Sequence, residues 1–266
     1  MYIFSCFFPL RLSLATPDLN SVNGVIINLL YITPTRHLLY VTDTRSGVTT
    51  HKLEHLSCFF PGLLALGLFS LSTTDSPAYT SSQKQLHRWA AEGLAETCWL
   101  IYHDQESGLG PDEVQMVDYA NYMKTQGSND RNNPARGTSF GSLEREGLWV
   151  RQIANWKKDG KMSGTPPGVP MPGESFKREE DPKNRDYRVM INSYLLRPEV
   201  CFIALFFSTR RTINWCSSLQ TLESFFYMWK LTDDVKWRER GWYVSPHSPL
   251  RTDSGLVAFQ VYLSSD

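Results

Sequence analysis

Apolar residues that recur with helical spacing constrain this chain more than any other feature. Over residues 22–30 they fall at positions i, i+3, i+4, i+7 and i+8, which predicts an amphipathic helix. Stripes of the same kind predict helices over 83–102 and 221–231. The run 56–71 is apolar on nearly every face, so it predicts a helix buried inside a helical assembly. Helices joined by short turns favour an all-α fold, either a solenoid or a toroid.

The stretch from Gly127 to Lys183 has a different composition, rich in asparagine, glycine, proline and mixed charges. Within it, the segment Gly164–Gly173 contains four prolines. Proline lacks the backbone N–H that helices and sheets use, so this segment predicts neither. We therefore expect a long irregular surface loop or insertion, and we take 113–184 as the loop-rich part of the chain.

The charge balance excludes one class of partner. The 266 residues carry 27 Lys+Arg and 27 Asp+Glu, and no basic run is long enough to follow a phosphate backbone. Nucleic acid is therefore not expected as a partner. No apolar run reaches about 18 residues, so no membrane-spanning helix is predicted either. The apolar start of the chain has no basic residue before it and makes a poor signal peptide.

Metal chemistry has one candidate motif. His51, Glu54 and His55 fit the H-x-x-E-H pattern of zinc peptidases, in which two imidazoles one helical turn apart hold zinc and the glutamate is the general base. The alternative is a surface His51 followed by a Glu54–His55 pair that caps a helix or lines a site. The five cysteines show none of the paired spacings of zinc ribbons or redox motifs, so at most two disulfides could form.

Several acids stand next to turns or helix starts. Asp112 and Glu113 follow a Gly-Leu-Gly-Pro turn, Glu199 follows Arg-Pro, and Glu223 lies in a Thr-Leu-Glu-Ser string. Glycosidases need one carboxyl group to protonate the leaving oxygen and another to activate water. The alternative is that these are solvated acids favoured by helix dipoles. Composition alone does not separate the two interpretations.

Five strings, taken in order, resemble the central part of the class I α-1,2-mannosidases, glycoside hydrolase family 47. The resemblance implies a partial (α/α)7 barrel, a toroid of paired helices, with a calcium ion at the base of its pocket. It also implies inverting hydrolysis of terminal α-1,2-linked mannose on high-mannose N-glycans in the secretory pathway, by a full-length protein compatible with a membrane anchor. The strings are LYITPTRHLLYVTDT (30–44), LEHLSCFFPGLLALG (53–67), ETCWLIY (96–102), SGLGP (107–111) and YLLRPE (194–199).

The resemblance assigns roles residue by residue. Glu199 looks like the family's general base, the carboxylate that activates the attacking water. Glu223 looks like the second acid of the family's R-P-E-T-x-E-S string. Asp112 occupies the acid position of the G-L-x-P-E substrate-binding motif, with Glu113 as the rival if the alignment slips by one. The other residues that the matched strings make candidates for substrate binding are Arg197, Glu54 and His55.

The resemblance also pairs two of the cysteines. Cys58 and Cys98 match the half-cystines of the family's disulfide, which implies an oxidising compartment. Cys6, Cys201 and Cys216 match no family position, so we expect them to have no partner.

The sequence departs from the family's pattern in three respects. Residues 200–220 separate two glutamates that the family keeps three residues apart, and they resemble a translated intron. The strings that hold the family's catalytic acid and its calcium-ligating threonine are not found. We therefore expect a partial mannosidase catalytic domain over 22–242, flanked by unrelated segments 1–21 and 243–266, that releases no mannose as it stands. A catalytically dead, lectin-like relative that binds mannose-rich glycans is the alternative.

Overall fold

The computed structural model describes residues 15–71, 79–126, 139–160, 164–192 and 219–244. The described residues are mostly helical, with three small antiparallel sheets. The helices are α1 (Ala15–Leu29), α2 (Phe60–Ser70), α3 (Ser81–His103), α4 (Tyr119–Gln126), α5 (Phe140–Glu146), α6 (Trp149–Lys158), α7 (Leu219–Thr232) and α8 (Val235–Val244). The strands are β1 (Leu30–Ile32), β2 (Leu39–Val41), β3 (Thr44–Arg45), β4 (Val48–Thr49), β5 (Lys52–Glu54), β6 (Glu113–Met116) and β7 (Tyr187–Ile191), and 3₁₀ turns cover His55–Phe59 and Pro182–Asn184.

All four predicted helices are present, as α1, α2, α3 and α7. The apolar run 56–71 begins with the 3₁₀ turn and continues as α2. The expectation of a buried helix is correct only in part, because Leu64 and Ala65 are buried whereas Leu63 and Phe69 are exposed. The helix packs against α3 and α7, and those two neighbours cover only part of its circumference. Apolar composition on all faces therefore does not establish burial on all faces.

Helix α3 runs through the centre of the described structure. It starts at a capping box, in which the Gln83 backbone N–H donates to Thr80 Oγ1 and the Thr80 backbone N–H donates to Gln83 Oε1. From Ala90 to Tyr102 all but one of its residues are buried, so this half of the helix has neighbours on every side. Small side chains along it let other segments approach the helix axis closely.

The expectation of an all-α fold is correct only in part, because the described residues are mostly helical but also contain seven strands. Strand β6 lies between β5 and β7 in the largest sheet, and both pairings are antiparallel. The register places Glu54 opposite Glu113 and Leu53 opposite Val114. The strands have two to five residues, which is too short for an alternating pattern to stand out in the sequence.

The expectation of a surface loop over 127–183 is also wrong in part. Helices α5 and α6 lie within it, and Trp149 of α6 is fully buried. The proline-rich segment has neither helix nor strand, as predicted, but it packs against the core: the Trp149 Nε1–H donates to Pro167 O at 2.8 Å. Whether 113–184 is an insertion relative to the family stays a prediction.

Two buried ion pairs fasten this irregular segment to the helices. Arg240 of α8 donates two hydrogen bonds to the Glu96 carboxylate of α3, at 2.7 and 2.8 Å, and also contacts Ser175. Arg36 pairs with the fully buried Asp104 at 2.7 Å. Because each carboxylate also accepts a backbone N–H from residues 176–179, both pairs tie the segment to the end of α3.

Within the described ranges, no helix combines the length and apolarity needed to cross a bilayer.

Candidate active site

A disulfide joins the 3₁₀ turn to α3. Cys58 and Cys98 are bonded, and their Cα atoms are 5.9 Å apart. The pairing implied by the resemblance is therefore confirmed, and the separation lies in the usual range for disulfides. The bond fixes the 3₁₀ turn, and with it His55, against the second half of α3. Cys6, Cys201 and Cys216 lie outside the described residues, so their predicted lack of a partner stays a prediction.

His55 links four parts of the chain. Its Nε2 atom is hydrogen-bonded to the Tyr102 hydroxyl of α3 and lies 3.3 Å from Thr221 Oγ1 of α7. Its backbone N–H donates to Asp112 O at 2.8 Å. These contacts bring together residues that are far apart in the sequence. His55 and Tyr102 lie within matched strings, Asp112 directly follows a third, and Thr221 follows the segment 200–220 that interrupts a fourth. His55 therefore lies at the centre of the candidate site.

Asp112, just before β6, and Glu113, the first residue of β6, face different surroundings. Asp112 is buried, and its backbone N–H donates to Ile191 O of β7 at 3.0 Å. Glu113 lies opposite Glu54 in the neighbouring strand, and the Lys52 Nζ atom is 2.7 Å from its Oε1. Like charges on facing strand positions repel each other, and the ammonium group of Lys52 offsets this repulsion. Glu54 itself is exposed.

Glu223 lies in the first turns of α7, between two buried residues. Thr221 and Ser224 are fully buried, whereas Glu223 is half-buried at the margin of the packed face. Burial raises the pKa of the Glu223 carboxyl above its ordinary value of 4.5, because the charged form loses solvation. A carboxyl group of this kind holds its proton to higher pH, so it can donate a hydrogen bond or a proton to a sugar oxygen.

The zinc motif is not supported by the geometry. The pattern needs a helix, but Lys52–Glu54 is a strand, so His51 and His55 are not one helical turn apart. His51 is buried rather than on the surface, and its Nδ1 lies 2.8 Å from the Tyr40 hydroxyl. Its Nε2 lies 3.4 Å from Glu144 Oε1. Burial lowers the pKa of His51, which favours a neutral ring that packs among these groups.

Two predicted site residues lie outside the described residues. These are the base candidate Glu199 and its neighbour Arg197, together with most of 200–220. Only residues 219 and 220 of that segment belong to a described element, the start of α7. Their roles therefore stay predictions. The described residues do bring together Asp112, Glu113, Glu54 and His55, and Thr221 connects this group to the turn that holds Glu223.

The described residues show no cluster of metal-binding side chains. Among them, no group of three or more His, Cys, Asp or Glu side chains could hold a metal ion. The acids of the candidate site are instead distributed over a strand, a turn and a helix, and Glu113 already pairs with Lys52.

The chain matches one known protein family over most of its length. The sequence profile of glycosyl hydrolase family 47 matches residues 19–250. The chain belongs to this family. The identification made from the five strings is therefore confirmed. Family 47 comprises glycosidases and is calcium-dependent in general.

Individual family 47 relatives match parts of the chain. The endoplasmic reticulum mannosyl-oligosaccharide 1,2-alpha-mannosidases of Homo sapiens and Rattus norvegicus are 33% identical over 94 residues and 32% identical over 92 residues. Each match covers 35% of this chain and 12% of the relative. The mannosyl-oligosaccharide alpha-1,2-mannosidase IA of Drosophila melanogaster is 23% identical over 205 residues, which is 77% of this chain and 17% of that protein.

A solved structure gives a weaker likeness. An alpha-1,2-mannosidase from Trichoderma reesei superposes with a TM-score of 0.43 and 15% identity, over 88% of this chain and 31% of that one. The chain thus spans less than a third of that structure and less than a fifth of the Homo sapiens, Rattus norvegicus and Drosophila melanogaster relatives it matches. The (α/α)7 barrel therefore stays a proposal for the complete domain.

Sequence reasoning missed three contributors to the site: Tyr102, Thr221 and Ser224. Tyr102 lies four residues after Cys98, so both face the same side of α3, and this spacing could have pointed to it. Thr221 and Ser224 flank Glu223 in the same helical turn, but nothing in the sequence indicates which residues they contact.

Proposed function

We propose that this chain carries part of the site of an inverting glycosidase that removes terminal α-1,2-linked mannose from high-mannose N-glycans. The observation that carries the proposal is the convergence of His55, Asp112 and the Thr221–Glu223 turn, from three separate family strings. A sugar-binding site needs several hydroxyl-gripping polar groups at one place, and this cluster supplies carboxyl, imidazole and hydroxyl groups.

In this proposal each acid has a separate role. Glu199 is the base that activates water, and an inverting enzyme would hold it roughly 6.5–9.5 Å from the acid across the scissile bond. Glu223, with its raised pKa, is the second carboxyl group at the sugar. Asp112 binds substrate hydroxyls together with Glu113, Glu54 and His55, and Arg197 is proposed as a further substrate-binding residue.

The setting of the reaction follows the relatives. Several of them are named as endoplasmic reticulum mannosyl-oligosaccharide mannosidases, which supports a place in the secretory pathway and a mannose-containing glycan as the substrate. The Cys58–Cys98 disulfide agrees with an oxidising compartment. Calcium enters the proposal from the family, which is calcium-dependent in general.

Binding of α-1,2-mannobiose to the 266-residue chain tests the sugar site. We expect NMR titration to show millimolar binding of mannobiose and no binding of maltose. Asp112→Asn should weaken the binding roughly 10–100-fold, since hydrogen bonds to a charged group contribute about 1.5–3 kcal/mol. The matched control is Asp159→Asn, at an exposed acid that ends α6 and should leave the affinity unchanged. Equal binding of maltose would contradict the proposal.

Release of mannose tests the chemistry. We expect no release from the chain as it stands, because residues 200–220 separate Glu199 from Thr221 and Glu223. A chimaera in which 22–242, spliced from Glu199 to Thr221, replaces the matching part of the Rattus norvegicus relative should release mannose. In that chimaera Glu199→Gln should remove most of the rate. Binding without release in the spliced chimaera would favour the lectin-like alternative.

A further inference from the structure

Ser224 of α7 makes hydrogen bonds to the backbone on both sides of the start of α2. Its Oγ donates to Cys58 O at 2.6 Å, with Phe59 O at 3.3 Å, and it accepts the Gly62 backbone N–H at 3.1 Å. Ser224 is fully buried, so water does not compete for these bonds. One hydroxyl group therefore connects α7 to the 3₁₀ turn and to α2.

One of these bonds satisfies a backbone N–H group at the start of α2. The first backbone N–H groups of a helix have no partner within the helix and are usually satisfied by a capping side chain. Phe59 at the N-cap of α2 provides no such side chain, and Pro61 has no N–H. The hydroxyl group of Ser224 takes the N–H of Gly62 instead, so α2 is capped by a residue of another helix.

Helices α2 and α7 are in close contact at Gly62 and Ser224. A Cβ atom placed on Gly62 would stand 2.6 Å from Ser224 Oγ and 2.8 Å from Ser224 Cα. Real Cβ atoms do not approach other atoms so closely, so only glycine allows this approach. The contact fixes how far α7 stands from α2.

A second hydrogen bond lies one turn earlier on the same face of α7. Thr221 Oγ1 is 3.3 Å from Nε2 of His55, at the other end of the same 3₁₀ turn. Residues three apart on a helix share a face, so Thr221 and Ser224 fasten the first turn of α7 at two points, on either side of Glu223. Two directional bonds fix the rotation of the helix as well as its distance, which apolar packing alone does less strictly.

We propose that Ser224 is a positioning residue: by docking the first turn of α7 on the start of α2, it holds the Glu223 carboxyl group at the candidate site. This inference rests on the proposed role of Glu223 at the sugar. It assigns a function to a residue that touches no substrate. It also gives the Cys58–Cys98 disulfide a second role, because Cys58 supplies the carbonyl group that Ser224 bonds.

The protonation of Glu223 gives a readout that does not depend on activity. Its pKa is raised by burial, so loosening the first turn of α7 should admit water and return the pKa toward 4.5. A residue that only stabilises the fold would not move the pKa of a neighbouring carboxyl group in a chain that stays folded.

The test compares Ser224→Ala with Ser70→Ala in the full 266-residue chain. Ser70 Oγ donates to Leu66 O at 2.7 Å, a hydrogen bond within α2, so Ser70→Ala is a matched loss of a side-chain hydrogen bond. We measure the Glu223 carboxyl titration by ¹³C NMR, the thermal midpoint, and α-1,2-mannobiose binding. We expect Ser224→Ala to lower the Glu223 pKa and to weaken mannobiose binding about tenfold, and Ser70→Ala to change neither.

Thr221→Val is the milder second variant, which keeps the side-chain shape and removes only the second hydrogen bond. It should lower the Glu223 pKa by a smaller amount, and it decides the question if Ser224→Ala does not fold. An unchanged Glu223 pKa in a folded Ser224→Ala, or in Thr221→Val where Ser224→Ala does not fold, overturns the positioning role. If the wild-type chain binds no mannobiose while the pKa shifts as expected, the proposed function fails and the positioning role stands.

Discussion

At the scale of single residues, tyrosine hydroxyl groups pair with histidine rings at three places in the described part of the chain. His51 pairs with Tyr40, His55 with Tyr102, and His87 with Tyr79 at 2.9 Å. The Nε2 atom of His87 also bonds Asn23 Oδ1 at 2.8 Å. Asn23 Oδ1 can only accept, so Nε2 carries a proton, and because burial lowers the pKa of His87 the ring is neutral and its Nδ1 accepts from the Tyr79 hydroxyl group. His87 therefore joins α1 to α3 as a neutral group.

This arrangement predicts a pH dependence of stability. Burial lowers the pKa of His87 to about 4, below the value near 6.5 of an unfolded chain. The unfolded state therefore takes up a proton first as the pH falls, so the stabilisation is complete above pH 6.5 and is lost between pH 6.5 and 4. The loss should be on the order of 2 kcal/mol.

Urea unfolding of the wild type and of His87→Gln at pH 7.5 and 4.5 measures it. Glutamine keeps a donor and an acceptor but does not titrate, so the wild type should lose more stability than the variant across this range. The other buried histidines contribute equally to both proteins and cancel. Equal losses in the two proteins would show that His87 does not titrate in the way its burial requires.

The sequence predicts residues of the site where a family string contains them. The pairing of Cys58 with Cys98 was predicted in this way and is present. The partners of His55 and Ser224 were not predicted, because a hydrogen bond between residues about 166 apart leaves no local pattern. His51 was misread for a related reason: its backbone has a φ of 54°, in the left-handed region, and leads into a strand rather than a helix.

At the scale of elements, the helices were predictable and the strands were not. Helices α1, α3 and α7 each span two or more turns of periodic apolar residues, so the pattern accumulates along the element. The strands depend on partners elsewhere: β5 pairs with β6, which lies about 60 residues further along the chain. Helix α6 was missed because the polar composition of the surrounding stretch hid a buried stripe of Trp149 and Ile153.

The disulfide is the strongest single connection between elements, and its loss should be measurable. It closes a loop with a sequence separation of 40 residues, for which the chain-entropy model gives about 4 kcal/mol of stabilisation. Replacing both Cys58 and Cys98 by serine should lower the free energy of unfolding in urea by roughly that amount. The control replaces Cys201 and Cys216, which we expect to be unpaired, and should leave the stability unchanged. A loss below about 1 kcal/mol in the first variant would mean that the bond does not restrain the unfolded chain as the model assumes.

At the scale of the whole molecule, segments far apart in sequence meet at one glycine of α3. Both Leu39 of β2 and Gly168 of the proline-rich segment approach Gly93 at the position that a Cβ atom would occupy. Gly168 has a φ of +85°, so the segment turns at this point to lie against the helix. The long irregular segment is thereby part of the core. Neither its composition nor its lack of periodicity predicted this, because the contact depends on a small residue in another element.

Substituting Gly93 tests this packing. In Gly93→Ala the new Cβ atom would stand 2.5 Å from Gly168 O and 2.8 Å from Leu39 Cδ2, so backbone and side chain must both shift. Overpacking of this kind costs about 1–3 kcal/mol, more than the roughly 1 kcal/mol that alanine gains over glycine in a helix. Gly67→Ala in α2 is the matched control: apart from its chain neighbours and the backbone of its own helix, no atom lies within 4 Å of its Cβ position, so only the helical gain applies. Urea unfolding should show opposite signs for the two variants. A stabilised Gly93→Ala would mean that the proline-rich segment does not press on α3, and that the molecule is held together without it.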